Sequence, residues 1–385
     1  MAGDRRLRVG VLFGGESAEH EVSLQSARNV IEAIDPERYE VVLIGIDRGG
    51  RWHLAESSRF LLDGSDPRRI RLGPAARDVA LVPGTRSDLV SLEAGEPLER
   101  LDVVFPVLHG PMGEDGTVQG LLRLAHMPFV GPDVLGSAIG MDKDVSKRLL
   151  RDAGIPIAPF LTVSRRDRAP GWEEATRALG RPLFVKPANM GSSVGVAKVS
   201  SPAELDRALD EAFGFDRKVL LEAFVKGREI ECAVLGNEDP KASVPGEIVP
   251  RHEFYSYEAK YLDDEGAELC IPADLDPATT ERVRELAVRT FRTLCCEGMA
   301  RVDVFLTGDD ELVVNEINTI PGFTRISMYP KLWAATGVSY PELVDTLLDL
   351  ALERARRQRD LRSAVALDPE VGAIPGAGRA AVEEA

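Results

Sequence analysis

Leu7 to Phe13 (LRVGVLF) is a near-continuous apolar run closed by Gly14-Gly15, the pattern of a buried strand that ends in a turn. Ala27, Val30, Ile31 and Ile34 then recur at three- and four-residue spacing before Asp35-Pro36, which predicts an amphipathic helix and its stop. Val41 to Ile46 (VVLIGI) is continuous apolar sequence again, so the three pieces predict a βαβ unit. From Gly49 to Arg100 the pattern weakens into Gly-, Pro- and Arg-rich sequence with short apolar pieces. That stretch reads as a surface insertion before the strand Leu101 to Val107 resumes the sheet.

A helix is expected in MDKDVSKRLLRDAGIP (from Met141), where Leu149 and Leu150 precede the stop signal of Gly154 and Pro156. The N-terminal βαβ domain is therefore expected over residues 1–140. A central domain over 141–225 holds the strand Leu183 to Lys186, a Gly- and Ser-rich loop from Pro187 to Gly195, and a helix from Pro202 to Phe213. A third domain, 226–364, holds a helix from Pro277 to Leu294, with Asp276 as its cap and Pro277 in its first turn. Its buried stripe is Val283, Leu286, Ala287, Phe291 and Leu294. The strands Val302 to Leu306 and Glu311 to Ile317 are expected to form a hairpin across Thr307 to Asp310. Residues 365–385, rich in Ala, Gly, Pro and Glu, read as a disordered tail.

A chain of 385 residues is too long for one ordinary core, which agrees with several domains. With 44% hydrophobic and 29% charged residues it reads as soluble and globular, and no apolar run approaches a bilayer span. Two arginines precede the first apolar stretch, but that stretch is too short for a secretory signal, so a cytoplasmic protein is expected. Cys232, Cys270, Cys295 and Cys296 have neither CxxC spacing nor histidine partners and read as reduced, structural residues. A net charge of -16 repels phosphate backbones and anionic lipid, which argues against nucleic-acid and membrane partners. A bound polyphosphate would need a local cluster of cations.

Three features carry candidate chemistry. In the hairpin, Glu316 and Asn318 share one face of their strand. A four-residue loop would pair Leu306 with Glu311, set Asp303 opposite Val314 and so on that same face beside Glu316, and bring Arg301 to face Glu316. Two carboxylates and an amide are hard oxygen donors suited to Mg2+; the competing reading is a solvated polar face. In LFVKPANMGSSVGV, Lys186 ends a strand and the loop offers Ser192, Ser193 and backbone amides to a triphosphate, although it is not a Walker A loop and could be a plain linker. Lys143 is a second candidate phosphate cation. In VLLEAFVKGREIE, Glu222 and Glu229 could accept from a ribose while the backbone of Ala223, Phe224 and Val225 reads an adenine edge; taken alone, the two acids read as surface charges.

These pieces resemble the D-alanine-D-alanine ligases of the ATP-grasp superfamily over residues 7 to 355. The resemblance rests on GGESAEHEVS (from Gly14), HGPMGEDGTVQG (from His109), MDK (from Met141), VKPANMGSSVG (from Val185), YEAKY (from Tyr257), RVDVF (from Arg301) and NEINTIPGFTRIS (from Asn315). Each motif is modest, but seven in one order are specific. The resemblance implies an α/β ATP-grasp fold, in which an N-terminal Rossmann-like βαβ domain precedes two α+β domains that sandwich ATP.

It also implies the activity: ATP-dependent, ADP-forming ligation of two D-alanines through a D-alanyl phosphate, for peptidoglycan precursor and cell-wall synthesis. By it, Lys143 and Lys186 contact the phosphates, with Ser192, Ser193 and Lys260 also on the nucleotide. Glu222, Ala223, Phe224, Val225 and Glu229 lie toward the nucleoside. Asp303, Glu316 and Asn318 match the ligands of two Mg2+ ions, with Mn2+ as substitute. Glu19 matches the acid that pairs with the donor ammonium, and His109 a histidine near that substrate. Arg301 and the Gly322 amide match the oxyanion donors, and Ser327 the residue that holds the acceptor carboxylate. Ser192, Tyr261 and Glu19 match a hydrogen-bonded latch over the site. Relatives are often homodimers.

Glu16 and His20 flank the donor acid where relatives vary, and Met328 follows Ser327 where leucine is expected. Such neighbours set acceptor choice. Lys260-Tyr261 favours the dipeptide over a D-lactate product, while D-serine is less firmly excluded. A nicotinamide dehydrogenase is disfavoured, because the first turn lacks GxGxxG. A non-catalytic nucleotide binder would be expected to lose Asp303, Glu316, Asn318 or Arg301, and the chain has all four.

Overall fold

The computed structural model describes residues 5–55, 61–62, 69–83, 89–98, 100–250 and 267–361. Strand Leu7–Gly14 lies at the centre of the first sheet, parallel to Tyr39–Ile46 on one side and to Val103–Val107 on the other. Helix His20–Ala33 crosses between the first two, completing the βαβ unit. The apolar run of Leu7–Gly14 is buried from Val9 onward, as a strand covered on both faces must be.

The stretch after Gly49 is not only a surface insertion. Trp52–Ala55, Ala75–Leu81 and Leu89–Ser91 extend the same sheet to six strands through antiparallel pairing. Val79, Leu81 and Leu89 are buried in a core with Leu12 and Ile44. Each apolar piece is too short for its alternation to stand out, and its burial depends on a sheet edge that only the folded chain supplies.

A four-stranded antiparallel sheet follows, with Leu183–Pro187 between Ala197–Val199 and Lys218–Ala223, and Phe160–Ser164 at the far edge. Helices Trp172–Leu179 and Pro202–Phe215 bury their apolar stripes against it. The third layer centres on Gly227–Gly236 and Gly298–Thr307, with Leu312–Asn318 beyond. Helix Pro277–Thr293 packs Val283, Ala287 and Phe291 on it, capped by the Asp276 carboxylate accepting from Ala278 and Thr279 at 2.9 and 3.1 Å. Helix Tyr340–Asp360 returns to the N-terminal sheet, so one core runs from Val9 and Phe105 to Phe323, Trp333 and Leu347.

The hairpin register differs from that expected. Leu306 pairs with Leu312, and a bulge between Val304 and Asp303 puts Asp303 directly opposite Glu316 and Arg301 opposite Asn318. Asn315 is the extra residue. A bulge has no local sequence signature beyond spacing, and bulges gather beside functional sites, where they re-aim side chains.

Candidate functional site

The bulge makes Asp303 and Glu316 cross-strand neighbours, and Asn318 donates its side-chain amide to Asp303 at 2.9 Å. Among the described residues no group of three or more His, Cys, Asp or Glu side chains forms a metal cage. Two carboxylates and an amide oxygen are instead a partial set, which fits a hard divalent cation that keeps water and phosphate oxygens. Arg301 spans the row. Its Nε and Nη2 donate to the two Asp303 oxygens at 2.8 Å each, while Nε also lies 2.7 Å from Glu231.

The two phosphate-cation candidates bracket this hairpin. Lys143 begins helix Lys143–Asp152, donates to the Met190 carbonyl at 2.6 Å and lies 3.6 Å from Glu316. It thus ties the Gly-Ser loop to the hairpin. Lys186 donates to Glu222 and lies 3.4 Å from the bulged Asn315. Glu222 is not a surface charge: it is 3% exposed and also pairs with the fully buried Lys147. Burial alone would raise its pKa, but the two ammonium groups hold it at about 2. For Lys186, burial is outweighed by Glu222, then Glu316 and Glu229, so its pKa rises; for Lys147 burial wins and the pKa falls. Glu229 lines a small cleft with Glu231, Asp303 and Glu316. The Ala223 amide bonds the Pro159 carbonyl at 2.9 Å, and the ring of Phe224, 40% exposed, lies tilted beside that of Phe184, 6.1 Å between centroids.

A cavity of about 530 Å3 joins the hairpin to the N-terminal domain, lined by Glu19, His109, Ser192, Arg301, Gly322, Ser327 and Met328 among others. Ser192 and Ser193 both adopt left-handed backbone, with φ of 51° and 60°, a conformation that costs a non-glycine residue about 1 kcal/mol and gathers at ligand loops. That geometry lets the Ser192 hydroxyl donate to Glu19. Gly110, at φ 76°, approaches closely: a Cβ there would lie 2.9 Å from the Glu19 carboxylate. His109 donates from Nδ1 to the Ile320 carbonyl at 3.1 Å and its Nε2 meets Ser26 at 3.3 Å. Burial lowers its pKa more than Glu19 and Ile320 raise it, which favours the neutral ring. It fastens the Pro321 to Phe323 turn to the N-terminal domain.

That turn leads into helix Met328–Thr336. Ser327 occupies its N-cap, yet its hydroxyl makes no cap bond and instead accepts from the Thr324 amide at 3.0 Å. The first-turn amides of the helix are thus without a side-chain cap at the end that carries Ser327 and Met328 into the cavity, an arrangement suited to a carboxylate. Lys260 and Tyr261 lie outside the described residues.

Three acids and bases beside the site were not singled out from sequence. Glu114, inside HGPMGEDG, accepts from Gly110 at 2.6 Å and Ile320 at 3.3 Å and lines the same cavity as Glu19. Burial and then the Glu19 charge push its pKa up to about 8, against those amides and Arg301. Lys147 lies one helical turn beyond Lys143, and Glu231 two residues beyond Glu229 on the same strand face. Those spacings were the available signal.

Residues 8–132 match the family model described as D-ala D-ala ligase N-terminus, and residues 149–349 the one described as D-ala D-ala ligase C-terminus. The chain is 56% identical over 360 residues to the D-alanine-D-alanine ligase of Shouchella clausii, covering 93% of this chain and 98% of that protein. In structure it is similar to the D-alanine-D-alanine ligase from Coxiella burnetii, with a TM-score of 0.79 and 38% identity over 92% of this chain and 96% of that one. It is also similar to the VanG D-Ala:D-Ser ligase from Enterococcus faecalis, at TM-score 0.80 and 37% identity over 90% and 100% of the two chains.

Proposed function

The chain belongs to the D-alanine-D-alanine ligase family, and from that premise we propose that it joins two D-alanines in an ATP-dependent reaction that releases ADP and phosphate. A donor carboxylate oxygen attacks the γ-phosphorus and ADP leaves; the neutral acceptor amine then attacks the acyl phosphate carbon, and the amide forms as phosphate leaves and the amine nitrogen gives up one proton. No protein nucleophile is required. The observation that carries the reading is the meeting of Glu19, Ser192, Arg301 and Ser327, from four distant stretches of chain, around one cavity beside the Asp303–Glu316 pair.

In this reading Glu19 pairs with the donor ammonium beside His109. Arg301 and the Gly322 amide stabilise the oxyanion of the tetrahedral intermediate, a role worth about 3 kcal/mol per donor. Ser327 and the first turn of helix Met328–Thr336 hold the acceptor carboxylate, with Met328 against its side chain. Lys143, Lys186, Ser192, Ser193 and Lys260 hold phosphates; Glu222, Ala223, Phe224, Val225 and Glu229 face the nucleoside between the domains 141–225 and 226–364. Family membership implies a divalent metal, and we take it to be two Mg2+ ions, replaceable by Mn2+, on Asp303, Glu316 and Asn318. When bound, these ions neutralise phosphate charge during phosphoryl transfer. Ser192, Tyr261 and Glu19 latch the loops and exclude water that would hydrolyse the acyl phosphate.

No helix among the described residues is long and apolar enough to cross a membrane. We place the enzyme in the cytoplasm as a homodimer serving peptidoglycan synthesis. The test is ADP release with ATP, Mg2+ and D-alanine, D-serine, D-lactate or L-alanine, with products identified by mass. D-Alanyl-D-alanine as the main product is expected. Turnover with L-alanine alone would overturn the reading, and preference for D-serine would replace the acceptor.

A further inference from the structure

Three adjacent strands set Glu231, Asp303 and Glu316 in one row, each directly opposite the next. Like charges so placed repel unless a cation stands among them. The neighbouring row is Ala233, Arg301 and Asn318, so among the described residues Arg301 is the cation their own sheet sets beside these acids. Its fork lies on Asp303 at 2.8 Å through two nitrogens, and its Nε lies 2.7 Å from a Glu231 oxygen. Glu231 is 6% exposed and Arg301 only part-exposed, so this contact is little screened by water.

One guanidinium thus serves two carboxylates, and only one of those, Asp303, is needed by a divalent cation under the reading above. A cation on Asp303 would compete with Arg301 for that carboxylate's oxygens. If Asp303 were the only anchor, Arg301 would either block the cation or be displaced from the site with it. A second carboxylate on the next strand removes that conflict. It lets the guanidinium slide from Asp303 without leaving the reaction face, and an acid anchor fixes its planar fork in direction.

We propose that Glu231 is a positioning residue for the ligation: it draws Arg301 off Asp303 when the divalent cation binds and holds the guanidinium where the oxyanion develops. The inference rests on the site reading above, in which Asp303 is a cation ligand and Arg301 an oxyanion donor. On this inference Glu231 acts through Arg301 and not as a ligand of cation or substrate. Its effects must therefore vanish once Arg301 is gone.

The experiment is a double-mutant cycle on the full chain with Glu231→Gln and Arg301→Ala, read by Mn2+ affinity from electron paramagnetic resonance with ADP present and by steady-state kcat and KM. Expected for Glu231→Gln is Mn2+ binding weaker by about threefold or more, because Arg301 falls back onto Asp303, and kcat lower by about tenfold with the KM for ATP within about twofold. In the Arg301→Ala background Glu231→Gln should change Mn2+ affinity by less than about twofold. Equal weakening in both backgrounds would make Glu231 a direct cation ligand and overturn the inference, as would unchanged Mn2+ affinity and kcat in Glu231→Gln. Glu231→Asp, which keeps the charge, should regain Mn2+ affinity; failure of that rescue also overturns it. Wild-type turnover by Arg301→Ala alone would instead remove the oxyanion reading, while the Mn2+ cycle still decides whether Glu231 governs Arg301's hold on Asp303.

Discussion

The Ser192 hydroxyl donates a hydrogen bond to the Glu19 carboxylate across 173 positions of sequence, joining the Gly-Ser loop of the central sheet to the N-terminal domain. The loop spends two left-handed serines in a row to make that contact, at φ 51° and 60°. Removing the hydroxyl should loosen the strained loop at this contact. Ser192→Ala is expected to raise ADP released per dipeptide formed severalfold, because water reaches the acyl phosphate more often. Tyr261→Phe should act in the same direction. Paired assays of ADP and dipeptide check both, and coupling ratios equal to wild type would remove the latch from the mechanism.

Lys147, Glu222 and Lys186 form a buried chain in which the acid is shared by two cations. Deleting Lys147 leaves Glu222 still paired with Lys186, whereas deleting the acid charge leaves Lys147, 2% exposed, without the carboxylate it pairs with. Glu222→Gln should therefore destabilise more than Lys147→Met, with about 3 kcal/mol for the larger effect. The pH dependence has a defined sign. The Glu222 pKa is depressed to about 2, so its contribution is fully present above the ordinary carboxylate range and is lost as pH falls from there toward 2. Urea unfolding of the two variants at neutral and acid pH measures both; the reverse ranking would contradict the pairing.

Much of this arrangement was legible beforehand, but unevenly. Alternation put Glu316 and Asn318 on one face, and the ordered motifs supplied Glu19, Lys143, Lys186 and Ser327. The Asp303–Glu316 pairing was not legible, because it depends on a bulge at Asn315 that shifts the hairpin register. Lys147 and Glu231 were hidden for another reason. A lysine or glutamate in isolation reads as surface charge, and only packing of the helix Lys143–Asp152 and of three strands reveals partners distant in sequence. The strands after Gly49 were missed because edge strands of a few residues carry too short a pattern.

Gly322 sits close under Ser327: a Cβ at position 322 would lie 2.7 Å from the Ser327 oxygen. The hydroxyl would have to give way, and with it the contact to Thr324 at 3.0 Å. Gly322→Ala is expected to raise the KM for the acceptor D-alanine by about tenfold and to leave ATP binding unchanged, because the displaced Ser327 hydroxyl lies at the acceptor end of the cavity. Separate titration of the two D-alanine sites checks this. An unaltered acceptor KM would detach Ser327 from acceptor binding.

Glu114 carries the most specific pH prediction. Its carboxyl is raised to about 8, chiefly by burial and then by Glu19, so between the ordinary carboxylate range and pH 8 the folded protein holds a proton that the unfolded chain has released. By linkage, stability contributed by this group is present at the acid side of that window and declines as pH rises through it. A donor ammonium at Glu19 works the other way: a positive charge in the same cavity favours ionised Glu114, so donor binding at pH 7 should release a proton and tighten as pH approaches 8. Calorimetry of D-alanine binding in buffers of different ionisation enthalpy measures that proton directly. Glu114→Gln should abolish both the proton release and the pH slope of donor affinity, and a variant that kept them would assign the proton to another group.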